Sequence, residues 1–426
     1  MSTDTPSALP ENAGPLSGLR VLDLSRILAG PTATQLLGDL GADIIKIERP
    51  GRGDDTRAWG PPFVQVEGKD SQESAYYLCA NRNKRSLAID IASEEGQKVI
   101  QNIATKSDIL IENFKVGDLK RRGLDYETVK AVNAKIIYCS ITGFGQTGPY
   151  APRAGYDFLI QGMGGIMSLT GQRDEDGGVP SKAGVGIADV MCGMYASNAI
   201  LAALHHRTVT GEGQYIDLSL LDTQVSWLIN QGAAYLTNRK VPGRLGNGHP
   251  TIVPYETFPA SDKQFILAVG NDTQFRKFLE VAGRDELMED ERFQTNKARV
   301  LNRDHTVPTI QEITKTKTAA EWLTELEKVG VPCGPVNDLE DVFNDPQIRH
   351  RAMEISMPHD TADSGEVHLI GNPINMSETP VTYRHAPPRV GQHSAEVLQD
   401  LFSFSEDEIA DLASRGVITD GRKSSQ

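Results

Sequence analysis

The chain is organised around one segment, Lys182-Ala-Gly-Val-Gly-Ile-Ala-Asp189-Val-Met-Cys-Gly-Met-Tyr-Ala-Ser-Asn-Ala-Ile-Leu-Ala-Ala-Leu204. Asp189 is the only charged residue between Lys182 and His205. Two glycines precede it, and about four turns of helix, apolar on nearly every side, follow it. The segment therefore predicts a buried helix that begins at a carboxylate.

Two interpretations of Asp189 follow from this position. Aspartate is a common N-cap, where its side chain accepts a hydrogen bond from a backbone N–H of the first helical turn. Alternatively, Asp189 is a nucleophilic carboxylate shielded from water, which the positive end of the helix would keep ionised. The segment alone leaves both interpretations open.

Composition limits the classes of function. At 426 residues the chain is too long for one ordinary core, so two domains are expected. A net charge of −14 without a long basic run argues against nucleic-acid or acidic-membrane partners. We expect no membrane span, because the apolar segment 183–204 contains Asp189 and Asn198.

The cysteines and the termini indicate the compartment. Four cysteines lie far apart without metal-ligand spacing, so we expect free thiols, no metal and a cytoplasmic location. The polar, proline-rich N-terminus has neither a secretory apolar core nor an amphipathic import helix. Residues 1–18 are expected to be a disordered lead-in.

Short apolar strands alternate with helices from Leu19 to about residue 141. This alternation predicts an α/β fold, a large Rossmann-like domain with a parallel sheet. We expect this large domain over 19–224, a smaller α+β domain over 225–335, and a return to the large domain over 336–426. A hairpin is expected in the small domain, from Tyr255–Phe258 and Gln264–Val269.

The turn after the first strand, residues 25–31, lacks the glycine fingerprint of dinucleotide-binding proteins, and no phosphate loop of the Walker type occurs. Basic clusters at 46–57, 81–86 and 112–122 lie at predicted strand ends or helix starts, where ligands of α/β sheets usually bind. Singly, each suits a solvated surface; together they suit a ligand with several phosphates.

The chain also carries a set of landmarks in a fixed order: Leu-Ala-Gly-Pro31, Gly-Ala-Asp-Ile-Ile-Lys-Ile-Glu-Arg49-Pro-Gly-x-Gly-Asp54, Asn83-Lys-Arg-Ser86, Glu-Asn-Phe114, Gly-Phe-Gly-Gln-Thr-Gly-Pro149, Gly-Tyr-Asp157, Ala-Asp189, Thr-Gly-x-Gly-Gln214 and Cys-Gly-Pro-Val336. In this order they resemble the class III coenzyme A transferases, from about Leu19 to Leu412. The resemblance implies an enzyme that binds a CoA thioester as substrate, without a cofactor, in an interlocked homodimer of ring-like subunits.

The resemblance implies roles for particular residues. Asp189 is the expected nucleophile. CoA is expected to contact nine residues: Ile27, Leu28, Arg49, Ile89, Asn113, Phe114, Lys115, Arg121 and Arg153. The family's glycine-rich active-site loop falls on Gly246, Gly248 and His249, where this sequence has fewer glycines and adds a histidine. Tyr156 and Asp157 are expected to support the site.

The implied chemistry passes an acyl group and then CoA through the Asp189 carboxylate, by anhydride and aspartyl-CoA thioester intermediates. Resemblance at His249-Pro-x-x-x-Pro-Tyr255 and Ala-Val-Gly270-Asn-Asp-x-Gln-Phe275 is closest to members that exchange dicarboxylates, with succinyl-CoA as donor and glutarate or a near relative as acceptor. Arg244 is one of several arginines that could hold a distal carboxylate.

Two alternatives remain. The α-methylacyl-CoA racemases share the fold but use a His-Asp pair where this chain has Tyr156 and Asp157. Moving a proton on an α-carbon needs a base of near-neutral pKa, which tyrosine does not supply. The second alternative is a non-catalytic CoA-binding protein, which would not need Asp189.

Overall fold

The structure is a computed structural model that describes residues 14–422 and divides into two compact units. The first unit contains the chain up to Gly165, Gly184–Ile229 and the chain from Pro346 onward. The second contains Ile166–Ala183 and Asn230–Asp345. The expected small domain, 225–335, therefore starts five residues early and ends ten residues early, and residues 166–183 were wrongly placed in the large domain.

The strands, in chain order, are β1 (Arg20–Asp23), β2 (Asp43–Glu48), β3 (Phe63–Val66), β4 (Lys69–Ser74), β5 (Lys84–Ile89), β6 (Ile109–Glu112), β7 (Ile137–Thr142), β8 (Tyr215–Ser219), β9 (Tyr255–Pro259), β10 (Gln264–Ala268), β11 (Cys333–Pro335), β12 (Glu354–Pro358), β13 (Glu366–Ile370) and β14 (Ile418–Thr419). Seven of them form the main sheet, in the order β14-β5-β2-β1-β6-β7-β8. Every neighbouring pair is parallel except β14 with β5. The parallel sheet expected from the sequence is confirmed.

The α-helices, in chain order, are α1 (Ala29–Asp39), α2 (Ala75–Leu78), α3 (Glu94–Thr105), α4 (Tyr126–Val132), α5 (Asp157–Met163), α6 (Ile166–Leu169), α7 (Ile187–Thr210), α8 (Leu220–Ser226), α9 (Ile229–Asn238), α10 (Asp272–Ala282), α11 (Glu291–Gln294), α12 (Asn296–Leu301), α13 (Arg303–Thr314), α14 (Ala319–Val329), α15 (Leu339–Asn344), α16 (Pro346–His350), α17 (Ser394–Phe402) and α18 (Glu406–Ser414). Helices cover both faces of the main sheet, so its strands are buried.

The strand order places a crevice in the first unit. From β1 the chain builds outward through β2 and β5, and then returns to add β6, β7 and β8 on the other side of β1. Strand order therefore reverses between β1 and β6, and the segments leaving their carboxyl ends diverge. Open α/β sheets bind their ligands at such a point.

Helix α7 is buried on one face only. Its inward side presents small residues, including Ala188, Cys192, Ala196 and Ala203. Its outward side exposes apolar groups such as Tyr195 and Val209, so the expectation of burial on nearly every side is wrong for the single chain.

The membrane expectation also needs correction, because α7 is long and apolar enough to span a bilayer by length and composition alone. Half of its most apolar window is nevertheless buried inside the protein, as in an ordinary core helix.

Buried ion pairs occupy most of the basic residues at 46–57 and 81–86. The side chains of Lys46 and Asp54 are fully buried and 2.8 Å apart. Arg57 makes a bidentate contact with Glu48, at 2.8 and 2.7 Å. These groups satisfy each other, as buried charges must, so they are not free to bind phosphate. The prediction that these two clusters hold a polyphosphate ligand is therefore wrong for their buried, paired members, and it stays a prediction for the exposed Arg49 and Arg52.

Arg82 and Lys84, in the 81–86 cluster, are also buried and paired with acidic side chains. Arg82 pairs with Asp39 at 2.6 Å, and Lys84 lies 3.4 Å from Asp23. Burial lowers the pKa of Lys84 to about 7, against the opposing effect of Asp23. Both lysines and both arginines therefore belong to the interior of the first unit.

The second unit has its own core. Strands β9, β10 and β11 form an antiparallel sheet, and the β9–β10 hairpin confirms the sequence prediction. Phe265, Phe275, Phe278 and Trp322 pack together behind it. These contacts make the unit a compact hydrophobic body.

The start of the chain is only partly described. Residues 1–13 of the expected lead-in lie outside the described residues. Residues 14–18 are ordered, because Leu16 is buried and its N–H donates to the Leu40 carbonyl at 2.9 Å. The lead-in expectation is thus wrong for 14–18. All four cysteines are free thiols, as expected, and the cytoplasmic location stays a prediction.

Candidate active site

A cavity of about 300 Å³ occupies the crevice between the carboxyl ends of β1 and β6. Residues 26–29 follow β1, residues 113–116 follow β6, and residues 141–143 end β7; all of them line the cavity. Residues 151 and 153–156 complete one wall, and Asp189 contributes its side chain. The topology of the sheet thus brings the segments at the carboxyl ends of β1, β6 and β7 to the cavity that Asp189 lines.

Asp189 does not cap its helix. Gly186 occupies the N-cap position of α7, and Asp189 is the third residue of the helix. The cap is supplied by Asp157 at the start of α5, whose Oδ1 accepts from the N–H of Ala188 at 2.8 Å and of Asp189 at 3.3 Å. The capping interpretation of Asp189 is therefore wrong.

Asp189 is 8% exposed, and no hydrogen bond reaches its carboxyl group from any residue between 14 and 422. Burial, followed by the nearby charge of Asp157, raises its pKa to about 7. The expectation that the helix end keeps Asp189 fully ionised needs correction, because Asp157 already uses the free N–H groups. A poorly solvated carboxylate of this kind is more nucleophilic than one in water.

The turn after β1 is held in a strained conformation. Ile27 has φ +71°, a left-handed conformation that costs a β-branched residue about 1–3 kcal/mol. Its N–H donates to Asp54 Oδ1 at 3.3 Å, and the other oxygen of Asp54 binds Lys46. The buried ion pair described above therefore fixes the turn that lines the cavity.

The turn after β6 is fixed to the same segment. Asn113 uses both ends of its amide, because Oδ1 accepts from Arg26 N at 2.9 Å and Nδ2 donates to Arg26 O at 2.7 Å. Glu112 is buried, accepts from Phe114 N at 2.7 Å and accepts a second bond from the Ser140 hydroxyl. Burial raises the pKa of Glu112 to about 7. Neighbouring strands thus hold residues 26 and 113–115 in one arrangement.

The structure brings together seven of the predicted site residues besides Asp189: Ile27, Leu28, Asn113, Phe114, Lys115, Arg153 and Tyr156 line the cavity. Asp157 contacts the start of α7 as described. Three predicted CoA contacts do not line it. Arg49 is exposed at the end of β2, Ile89 is 1% exposed in the core, and Arg121 pairs with Asp118. The CoA role of each residue stays a prediction.

The predicted loop residues lie in the second unit. Gly246 has φ +59°, which favours glycine, and a Cβ on Gly248 would come within 3.1 Å of Arg303 Nη1. His249 N–H donates to the Tyr255 carbonyl at 3.0 Å, and its own carbonyl accepts from Arg303. The backbone conformation explains the glycine at position 246, and the catalytic role of the loop stays a prediction.

Sequence reasoning did not identify Tyr76 as a residue that interacts electrostatically with Asp189. Burial, and then the charge of Asp189, raise the pKa of its phenol to about 12, and Asp157 adds to the effect. Tyr76 packs edge-on against Trp59, with ring centroids 5.2 Å apart. No sequence signal separated Tyr76 from its neighbour Tyr77, which is fully buried.

Over residues 14–422, no group of three histidine, cysteine or acidic side chains could hold a metal.

Comparisons with known proteins agree on one family. The model of CoA-transferase family III matches residues 16–394. A succinate–glutarate CoA-transferase from Agrobacterium fabrum is 47% identical over 94% of this chain and 98% of its own length. A human succinyl-CoA:glutarate CoA-transferase is 40% identical, over 98% of this chain and 92% of its own. A solved CaiB/BaiF family protein from Brucella suis is 48% identical, with TM-score 0.81 over 92% of this chain and all of its own.

The raised pKa of Asp189 predicts a pH dependence. A nucleophilic carboxylate acts in its ionised form, so a pKa raised to about 7 removes activity as the pH falls below that value. We expect kcat/KM for the acyl donor to level off above pH 7 and to fall about tenfold per unit below it. Asp157→Asn removes the like charge and should move this limb to lower pH.

The control is Asp118→Asn, a carboxyl that lines the same cavity without raising the pKa of Asp189. Its inflection should match the wild type. A wild-type inflection near pH 4, or one that Asp157→Asn does not move, would contradict the electrostatic argument.

Proposed function

Because the chain belongs to CoA-transferase family III, we propose that it moves CoA from succinyl-CoA to glutarate through Asp189. The observation that carries the proposal is the placement of Asp189 in the crevice formed by the turns after β1 and β6. The acids are proposed because relatives of 47% and 40% identity are named for them.

In the first half-reaction, an Asp189 oxygen attacks the thioester carbonyl of succinyl-CoA. The C–S bond breaks, CoA leaves as thiolate, and a succinyl-aspartyl anhydride remains. The thiolate then attacks the Asp189 carbonyl of the anhydride. Succinate leaves, and Asp189 carries CoA as a thioester.

The second half-reaction reverses these steps with the new acid. A glutarate carboxylate attacks the aspartyl-CoA thioester and forms a second anhydride, again releasing thiolate. The thiolate attacks the glutaryl carbonyl, so glutaryl-CoA forms and the Asp189 carboxylate is regenerated. Because water hydrolyses anhydrides, the burial of Asp189 supports this route.

The racemase alternative gains no support. Asp157 accepts hydrogen bonds from the start of α7, and Tyr156 is 64% exposed. The racemases use a histidine for α-proton transfer, and this chain has Tyr156 at that position. CoA transfer is the function that this arrangement of residues favours.

Product identity tests the substrate assignment. Free C4–C6 dicarboxylates, oxalate and matched monocarboxylates are offered with succinyl-CoA, and the CoA products are identified by mass spectrometry. We expect glutaryl-CoA to form with the highest kcat/KM for the acceptor. If oxalate or a monocarboxylate surpasses every C4–C6 diacid, the substrate assignment is wrong.

We also propose an interlocked homodimer. Apolar side chains on α5 and α7 are exposed in the single chain, among them Phe158, Met194 and Val209. Such a surface suits a second copy of the chain, and the insertion of Asn230–Asp345 into the first unit leaves long connections that could pass around a partner. We expect the mass of a dimer by sedimentation at micromolar concentration. A monomeric mass would contradict the proposal.

A further inference from the structure

Among residues 14–422, two of the three cationic side chains that line the cavity of Asp189 have no acidic partner. Arg26, Lys115 and Arg153 all line it. Asp55 pairs with Arg26 at 3.0 Å, while Asp118 is taken by Arg121. Within residues 14–422, neither Lys115 nor Arg153 has an acidic partner. Two cations therefore remain for anionic groups of a ligand.

Arg153 is held by aromatic rings. Its guanidinium carbon lies 4.6 Å from the ring centroid of Tyr150 and 5.1 Å from that of Phe144. Within residues 14–422 its side chain makes one polar contact, a weak one from Nη2 to Met163 Sδ at 3.9 Å. The two rings contact the guanidinium, and within residues 14–422 no carboxylate pairs with its N–H groups, which can bind a carboxylate through two hydrogen bonds.

Chain connectivity ties Arg153 to the segment that contacts Asp189. Arg153 precedes Asp157 by four residues, a span of at most about 14 Å, and Asp157 accepts from the N–H of Asp189 itself. Between them, the Gly155 backbone packs on the Gly143 backbone so tightly that a Cβ at Gly143 would lie 2.5 Å from Gly155 Cα. The segment carrying Arg153 is therefore fixed between the end of β7 and the start of α5.

The position of Lys115 indicates a role different from that of Arg153. Lys115 lines the Asp189 cavity and also a neighbouring cavity of about 330 Å³, which contains Lys120. A lysine binds phosphate as a compact point charge, whereas the planar fork of arginine binds a carboxylate or a phosphate through two parallel hydrogen bonds. The two unpaired cations thus differ in both place and chemistry.

Resting on the function proposed above, we propose that Arg153 binds the second carboxylate of the dicarboxylic acid and so selects diacids over monoacids. Arg153 acts as a specificity-determining residue, while Lys115 is left for the phosphates of CoA. This assignment differs from the CoA contact that family resemblance implies for Arg153, and the two roles have different kinetic consequences.

The test compares Arg153→Met and Arg153→Lys with the wild type. Glutarate and pentanoate serve as acceptors of equal chain length that differ in the second carboxylate. We expect Arg153→Met to lose at least about tenfold in kcat/KM for glutarate and less than about threefold for pentanoate. Arg153→Lys keeps the charge and should recover part of the difference. Where pentanoate is not turned over, its inhibition constant against glutarate replaces kcat/KM.

Lys115→Met is the matched control. It should raise KM for succinyl-CoA and leave the glutarate-to-pentanoate ratio unchanged. Equal losses for both acids in Arg153→Met, with a raised KM for succinyl-CoA, would overturn the proposal and assign Arg153 to CoA. An unchanged ratio with normal kinetics would also overturn it. A wild-type enzyme that makes no glutaryl-CoA would instead refute the proposed acceptor, so the two failures are distinguishable.

Discussion

The carboxylates of Asp157 and Asp189 both lie at the first turn of α7, and the rest of the site depends on which of them accepts hydrogen bonds from the N–H groups of that turn. Asp157 accepts from Ala188 and Asp189, which satisfies the donors that the helix end offers. Asp189 is left buried in the crevice with no donor of its own among residues 14–422. A buried carboxylate without a hydrogen-bond donor is available to a substrate, and its raised pKa reflects its burial.

The crevice in turn depends on charges that never reach the ligand. Lys46 and Asp54 form a fully buried pair, and Asp54 also holds the N–H of strained Ile27. Asn113 then binds the backbone of Arg26 from the neighbouring strand. Because Lys46, Asp54 and Asn113 all bind the backbone that follows β1, the turns that line the cavity are held by contacts within the protein.

The sequence predicted those parts of the fold that depend on local patterns. Alternating strands and helices indicated the parallel sheet, and two short apolar segments indicated the β9–β10 hairpin. Asp189 was correctly singled out as unusual because an isolated charge in an apolar helix is visible in the chain itself. Its neighbours in space were not, since Asp157 and Asp189 are separated by 31 intervening residues.

Burial of charge was the main feature that the sequence concealed. Lys46 and Lys84 follow the same basic pattern as a phosphate-binding surface, yet their partners Asp54 and Asp23 place both lysines in the interior. Whether a lysine is solvated or paired depends on tertiary contacts, which composition does not reveal. The segment 166–183 joined the second unit for a similar reason, because only long-range packing separates it from its neighbours.

The nucleophilic role of Asp189 is tested most directly by trapping the acylated enzyme. The protein is incubated with succinyl-CoA, quenched with hydroxylamine, digested and examined by mass spectrometry, beside Asp189→Ala. The account predicts a hydroxamate on the wild-type peptide that contains Asp189 and on no other. It also predicts that Asp189→Ala folds, binds CoA and loses turnover by several orders of magnitude. An active Asp189→Ala enzyme, or an adduct on a different residue, would contradict it.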